Sequence, residues 1–362
     1  TLLGIPVYMD HDIEIDLQQR VQDAIGRRIS LLIAGGDSKR FYGRVPTGES
    51  FSIGGHRGVV RYEPTELVLT ARAGTPLEEI ETVLAEHGQM LGFEPPHFGD
   101  TATLGGTIAC GFSGPRRMYA GAARDFVLGV SIINGEGEIL QFGGEVMKNV
   151  AGYDVARLMT GALGTLGVLL EISLKVLPRP AAEMTLALDM DADAAIAQMN
   201  CWSGQALPLS ASCHDGARLY VRLSGTETGV RAAHTRIGGE EIRNSEHFWH
   251  SLREQEHHFF HGDEPLWRLA VAPSSPNRGV LPGRWLIDWC GGQRWLKSRA
   301  PAPTIRQAAR AAGGHATCFR GGERSGEVFQ SLPPALAGVH ARLKRKFDPL
   351  GIFNPGRMVA DW

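Results

Sequence analysis

The chain reads as an α+β protein with two core-forming domains, and three observations carry that reading. Amphipathic helices and alternating strands are mixed along its length. Three glycine-rich turns, near residues 35, 105 and 164, adjoin short apolar runs, as expected where backbone wraps one long anionic ligand. Pro178-Arg179-Pro180 then interrupts both helix and ladder bonding, and the grain of the sequence changes beyond it.

Ile13, Leu17, Val21, Ala24 and Ile25 recur at helical spacing, so residues 13–28 are predicted to form an amphipathic helix. Leu31-Leu32-Ile33-Ala34 is a buried strand that runs into the donor-rich turn Gly35-Gly36-Asp37-Ser38. Residues 67–71 alternate as a strand. Thr75 then caps a helix, with Pro76 in its first position, Glu78 closing a capping box and Gly88 at its end. From Thr101 to Gly129 the sequence predicts a long loop. Gly105 and Gly106 let backbone N–H groups approach a phosphate there, Thr101, Thr103 and Thr107 add hydroxyls, and Gly111, Gly114 and Gly121 turn the chain. Glycines this dense also suit plain surface corners, and it is the flanking turns that favour a ligand.

Phe126–Ile133 and Glu138–Phe142 read as a hairpin about Asn134-Gly135-Glu136-Gly137. The run Lys148–Asp154 leads to a short helix capped by Asp154, then to the turn Gly161–Val168 and a strand through Val176 with Ile172, Leu174 and Val176 on one face. Past the prolines, residues 185–190, 191–199 and 219–223 form one sheet-and-helix unit. Residues 267–272, 285–290, 305–312 and 316–319 form a similar second one, and a last helix over 335–347 returns through Asp348–Gly356.

Composition removes several function classes. A net charge of -2 leaves no footprint for nucleic acid. Neither G-x-x-x-x-G-K-[ST] nor G-x-G-x-x-G occurs, which argues against a P-loop NTPase and a Rossmann dehydrogenase. The five cysteines, at 110, 201, 213, 290 and 318, form no C-x-x-C pair, so no zinc ribbon or iron–sulfur cluster is expected from this chain alone, and reduced thiols suit the cytoplasm. The apolar run 163–177 contains Glu171 and Lys175, so no membrane span is expected, and Thr1-Leu2-Leu3-Gly4 lacks the pattern of a leader. His257 and His261 sit at i, i+4 beside His258 without an H-E-x-x-H, and no metal site is expected. Trp249, Trp267, Trp285, Trp289 and Trp295 read as core or as a buried partner surface.

The order Gly-Gly-x-Ser at 35–38, Thr-x-Gly-Gly at 103–106, Arg-Asp-x-Val-Leu-Gly at 124–129, Gly-x-x-Gly-Thr-Leu-Gly at 161–167 and Asn-Pro-Gly at 354–356 resembles the FAD-linked oxidases of the vanillyl-alcohol-oxidase type, and within them the FAD-binding subunits of bacterial glycolate oxidases (dehydrogenases). The likeness runs over 31–180 and 347–358, with further echoes at 295–298 and 313–317. It implies a PCMH-type FAD-binding domain of two α+β subdomains over residues 1–180, divided near 65–75. It also implies a compact α+β cap over 181–334, for substrate or partner, and a segment 335–362 that returns to the FAD domain.

By the same resemblance, Gly35, Gly36, Asp37, Ser38, Thr103, Gly105, Gly106 and Ala109 would hold the FAD pyrophosphate and ribose. Gly167 and Val168 would lie near the adenine end and Asn354 near the flavin ring, with Thr101, Gly114 and Gly164 as further FAD-binding residues. Ala34 stands where the family commonly has arginine, and Asp37 where it has glycine, a carboxylate that must turn away from pyrophosphate. The first loop holds no histidine, so the FAD is expected to be non-covalent. Arg116 and Arg117 are candidates for gripping a small hydroxyacid carboxylate, or else are solvated loop arginines or a subunit contact. His315 is the candidate base, or else a satisfied structural histidine. The partners implied are a sister FAD subunit and an iron–sulfur subunit, with the chain cytoplasmic or held at the inner face of the membrane through them. A self-sufficient 2-hydroxyacid dehydrogenase and a non-catalytic assembly subunit are the alternatives.

Overall fold

The computed structural model describes residues 10–144, 153–277 and 281–362. The Lys148–Gly152 part of one expected connection and the Thr1–Gly4 start lie outside them. The chain divides into two units: one ends at Phe112, resumes over Ala122–Pro178 and is completed by Ser331–Trp362, and the other comprises Ser113–Gly121 and Arg179–Gln330. The stretch 113–121, read from sequence as part of the FAD domain, is thus built into the second unit.

In the first unit, α1 (Glu14–Arg27) buries Leu17, Val21 and Ala24. The short strand β1 (Leu31–Ala34) pairs in parallel with β2 (Glu49–Ser52). A separate antiparallel sheet has β3 (Val59–Glu63) at its edge beside β4 (Val68–Arg72). The change of sheet therefore falls between Ser52 and Val59, earlier than the expected 65–75. Helix α2 (Leu77–Glu86) has Pro76, not Thr75, at its N-cap. Thr75 is fully buried, and its hydroxyl accepts the Gly58 N–H at 2.9 Å and donates to the Gly58 carbonyl at 3.2 Å. That pairing with a neighbouring loop displaces the local cap.

After β5 (Gln89–Met90), the stretch expected as loop contains α3 (Leu104–Cys110), capped by Thr103, whose Oγ1 accepts the Gly106 N–H. Two further short helices follow, α4 (Arg117–Ala120) in the second unit and α5 (Ala123–Phe126) in the first. The hairpin of β6 (Val127–Ile133) and β7 (Ile139–Gly143) closes where Asn134 Oδ1 accepts the N–H groups of Glu136 and Glu138, each at 2.9 Å. Helix α6 (Val155–Met159) is capped by Asp154. Strand β8 (Val168–Lys175) lies between β4 and β6 and is buried on both faces, Leu169 and Leu170 as much as Ile172 and Leu174. The two-residue β9 (Leu177–Pro178) pairs with β5 and ends this part of the unit.

The second unit repeats one plan. β10 (Ala182–Asp189), α7 (Ala192–Ser203), β11 (Leu209–His214), β12 (Arg218–Gly225), α8 (Glu227–Ile237) and β13 (Glu240–Glu241) form a β-α-β-β-α-β unit with strand order β13-β10-β12-β11. After α9 (Glu246–Glu254), the strands β14 (Leu266–Ala270), β15 (Arg284–Asp288) and β16 (Gln293–Lys297), helix α10 (Ala302–Ala311) and β17 (His315–Arg320) follow the same plan in the order β15-β16-β14-β17. The described residues between β14 and β15 hold no helix. Pairing of β11 with β15, Cys213 opposite Asp288, joins the halves into one eight-stranded sheet. Each half keeps its own core: Leu186, Ile196, Met199 and Leu219 in one, and Trp267, Leu269, Leu296 and Ile305 in the other. The chain then returns to the first unit as α11 (Pro334–Phe347).

Candidate functional site

In the first unit a cavity of about 380 Å³ opens where β1 ends. Its wall is drawn from five places in sequence: residues 32–40, residues 45–53, α3 with its cap Thr103, residues 163–169, and Asn354 with Arg357. Gly35, Gly36, Asp37, Ser38, Thr103, Gly105, Gly106, Ala109, Gly164, Gly167 and Asn354 all line it, so the structure brings together most of the residues named from sequence. Thr101, Gly114 and Val168 do not line it.

The loops converge because their backbones touch. A Cβ on Gly36 would overlap the Thr101 carbonyl, and one on Gly105 would stand 2.7 Å from the Ala73 methyl. Thr101 acts from behind the wall, donating its hydroxyl to the Gly36 carbonyl at 2.6 Å. Gly106 differs, since a Cβ there would meet only Thr103 Oγ1, at 3.2 Å, and would otherwise project into open space.

The donors for an anion lie on the first turn. The backbone N–H groups of Gly35, Gly36, Asp37 and Ser38 donate to no acceptor among the described residues, and Asp37 is left-handed, with φ 61°. Successive unpaired N–H groups at such a bend form a concave anion seat. The N–H groups of Gly105 and Gly106, expected to serve a phosphate, are already engaged: the first donates to the Ala73 carbonyl at 2.7 Å and the second to Thr103 Oγ1 at 3.3 Å. Helix packing has claimed both. The Asp37 carboxylate accepts from Arg40 Nε, which neutralises the charge that sat awkwardly in this turn.

Three cationic side chains that sequence reasoning passed over, Lys39, Arg40 and Arg357, also line the cavity, against the one carboxylate of Asp37. Two of them directly follow the Gly-Gly-Asp-Ser turn and the third follows Asn-Pro-Gly, so adjacency to the motifs was the available signal. Lys39 is held by the His97 carbonyl at 2.9 Å and by Ser38 Oγ. Cys110 lines the cavity as well, and burial pushes its thiol up to about 11 against the pull of Lys39 and Arg357, so it is a neutral wall group. Unpaired N–H groups, surplus positive charge and a volume within the roughly 300–1,000 Å³ range of small-molecule sites fit the diphosphate of a dinucleotide.

Asn354 is the joint of this wall. Its Oδ1 accepts the Ile33 N–H and its Nδ2 donates to the Leu163 carbonyl, both at 2.8 Å, while its own N–H bonds the Leu31 carbonyl at 3.0 Å. The amide is thus committed to holding three chain segments. Val168, fully buried, is the first residue of β8 opposite Ile133.

The remaining candidates lie in the second unit. Gly114 offers its carbonyl to Trp289 Nε1 at 3.0 Å. Arg116, its side chain 8% exposed, donates to Glu183 at 2.6 Å and to Ser224 Oγ at 3.3 Å. The Arg117 guanidinium lies 4.3 Å from the Trp289 ring centre. His315 opens β17 opposite Ala270, and burial together with the nearby Arg268 charge holds its imidazole below the usual range. None of these lines the cavity of the first unit.

The model of the FAD binding domain family matches residues 12–143. Over 345 residues, covering 95% of this chain and 97% of the relative, the sequence is 50% identical to glycolate oxidase subunit GlcE of Escherichia coli (strain K12). It is 36% identical to glycolate oxidase subunit GlcD of Bacillus subtilis (strain 168) over 35% of this chain and 27% of that one. D-lactate dehydrogenase of Archaeoglobus fulgidus is 30% identical over 45% of this chain and 36% of its own length. Among solved structures, alkyldihydroxyacetonephosphate synthase superposes with a TM-score of 0.66 at 16% identity, over 95% of this chain and 74% of that one, which shows a common PCMH-type fold. With a relative matched along nearly its whole length, this chain belongs to the FAD-binding oxidoreductase family that includes the glycolate oxidase subunit GlcE.

Proposed function

We propose that this chain is the FAD-binding subunit of a multi-subunit glycolate dehydrogenase (oxidase), which oxidises glycolate to glyoxylate and passes the electrons to an iron–sulfur partner. The observation that carries the reading is the seat at Gly35–Ser38: four successive backbone N–H groups with no acceptor among the described residues, flanked by Lys39, Arg40 and Arg357. These residues hold the cofactor's diphosphate, and no histidine in the loop attaches the flavin. When bound, FAD accepts a hydride from an alcohol carbon and releases electrons to an acceptor. The chain is placed in the cytoplasm, with any membrane contact made through its partners; among the described residues no helix is long and apolar enough to cross a membrane.

On the side of the protein, His315 is the candidate to take a hydroxyl proton, because an imidazole held below its usual range is neutral near pH 7 and has a nitrogen lone pair to offer, although the same shift makes it a weaker base. Arg117, stacked on Trp289, is the remaining arginine candidate for a substrate carboxylate. Arg116 already grips Glu183, which favours a second reading, that this chain carries electrons and a sister flavoprotein removes the hydride. Anaerobic mixing of the isolated flavin-loaded chain with glycolate tests both. Bleaching of the flavin absorbance supports hydride transfer here, and bleaching only after the partner subunits are added supports the division of labour. A correctly folded chain that takes up no FAD would end the proposal.

A further inference from the structure

Helix α11 is fastened to the first unit at its C-terminal end and stands clear of it at the other. Lys344, buried, donates to the Thr165 carbonyl at 2.7 Å, to Asp348 at 2.6 Å and to the Phe353 carbonyl at 3.1 Å, and the Phe347 carbonyl accepts the Gly135 N–H at 2.7 Å. Towards its start, every residue from Ser331 to Ala337 is exposed. Leu336 and Val339, exposed by 44% and 40%, stand at i, i+3 on one helical face, the half-buried Leu343 continues the line at i+7, and Leu332, 39% exposed, lies just ahead of the helix. Such spacing is the anchor pattern of a helix that enters an apolar groove.

The charge on the same helix is of one sign. Between Ser331 and Phe347 there is no Asp or Glu, while Arg342, Arg345 and Lys346 are exposed beyond the apolar turns. Resting on the reading of this chain as one subunit of several, we propose that the free face of α11 is a docking surface for a partner subunit. The occupant is a protein groove that is apolar where Leu332, Leu336 and Val339 enter it and lined with carboxylates where Arg342 and Lys346 pass. The apolar anchors supply the affinity and the cations set the direction in which the helix lies.

The test uses the full chain, co-expressed and co-purified with a sister flavoprotein subunit and an iron–sulfur subunit. In the Leu336→Asp/Val339→Asp variant the change sits on solvent-exposed positions, so flavin content and melting temperature are expected to stay at the wild-type level while partner affinity falls by roughly thirty-fold or more. The Arg342→Glu/Lys346→Glu variant is expected to weaken binding at low salt and to flatten its salt dependence. Undiminished partner capture by the Asp variant overturns the docking surface but leaves the complex standing. Failure of the wild-type chain to bind either subunit overturns the complex, and this surface with it. If the Asp variant keeps its partners but loses binding to anionic phospholipid vesicles, the face belongs to a lipid surface and the proposal is overturned.

Discussion

A methyl group added at Gly36 would run into the Thr101 carbonyl, whereas one added at Gly106 would point into the cavity beside only Thr103 Oγ1. The two glycines therefore separate packing from ligand clearance. Gly36→Ala is expected to disorder the joint between the first loop and residue 101, lowering both the melting temperature and flavin uptake. Gly106→Ala is expected to leave the apo fold as stable or gain up to about 1 kcal/mol of helix propensity, yet to weaken FAD binding tenfold or more, read by fluorescence titration. The glycine turns were legible in the sequence because few other residues allow such approach. Which N–H groups remained free was not, since Ala73, distant in sequence, takes the one on Gly105. Asn354 was named for a place near the flavin ring, and the structure assigns its amide to Ile33 and Leu163, a long-range bond that no local pattern announces.

At the level of elements, the C-terminal end of α11 depends on a buried ion pair. Asp348 is 1% exposed and its carboxylate also accepts the Ile352 and Phe353 N–H groups, at 3.0 and 2.8 Å. Lys344→Met is expected to leave that charge unbalanced and to cost roughly 3–5 kcal/mol, seen in chemical denaturation, and Asp348→Asn added to it should restore part of the loss. Elements with strong periodicity or caps, such as α1, the β6–β7 hairpin and α6, lie where the sequence placed them. β16 escaped notice because, held between β14 and β15, it is buried along its whole length, polar and charged residues included, so alternation is lost. The assignment of Ser113–Gly121 to the second unit follows from Trp289, Glu183 and Cys290 reaching for it, partners far away in sequence.

Across the whole molecule, the two units respond to different variables. FAD at about a hundredfold excess over its Kd should stabilise the first unit by about 2.7 kcal/mol, or roughly 5–10 °C in its calorimetric transition. Acid should act on the second, where burial, helped by the neighbouring His258, lowers His257 to about 4. A folded-state value below the unfolded one means that the unfolded chain binds the proton first, so stability falls as pH drops from about 6.5 towards 4. His257→Asn, which removes the titration, is expected to flatten that fall without moving the FAD-dependent transition.

Asn354 and the strand it pins, β1, stand more than three hundred residues apart, with the whole second unit synthesised between them. The cavity wall can therefore close only after the second unit has been synthesised and residue 354 has followed it. A nascent polypeptide stalled anywhere before that asparagine is expected to lack the amide that ties Ile33 to Leu163, and so to emerge without colour.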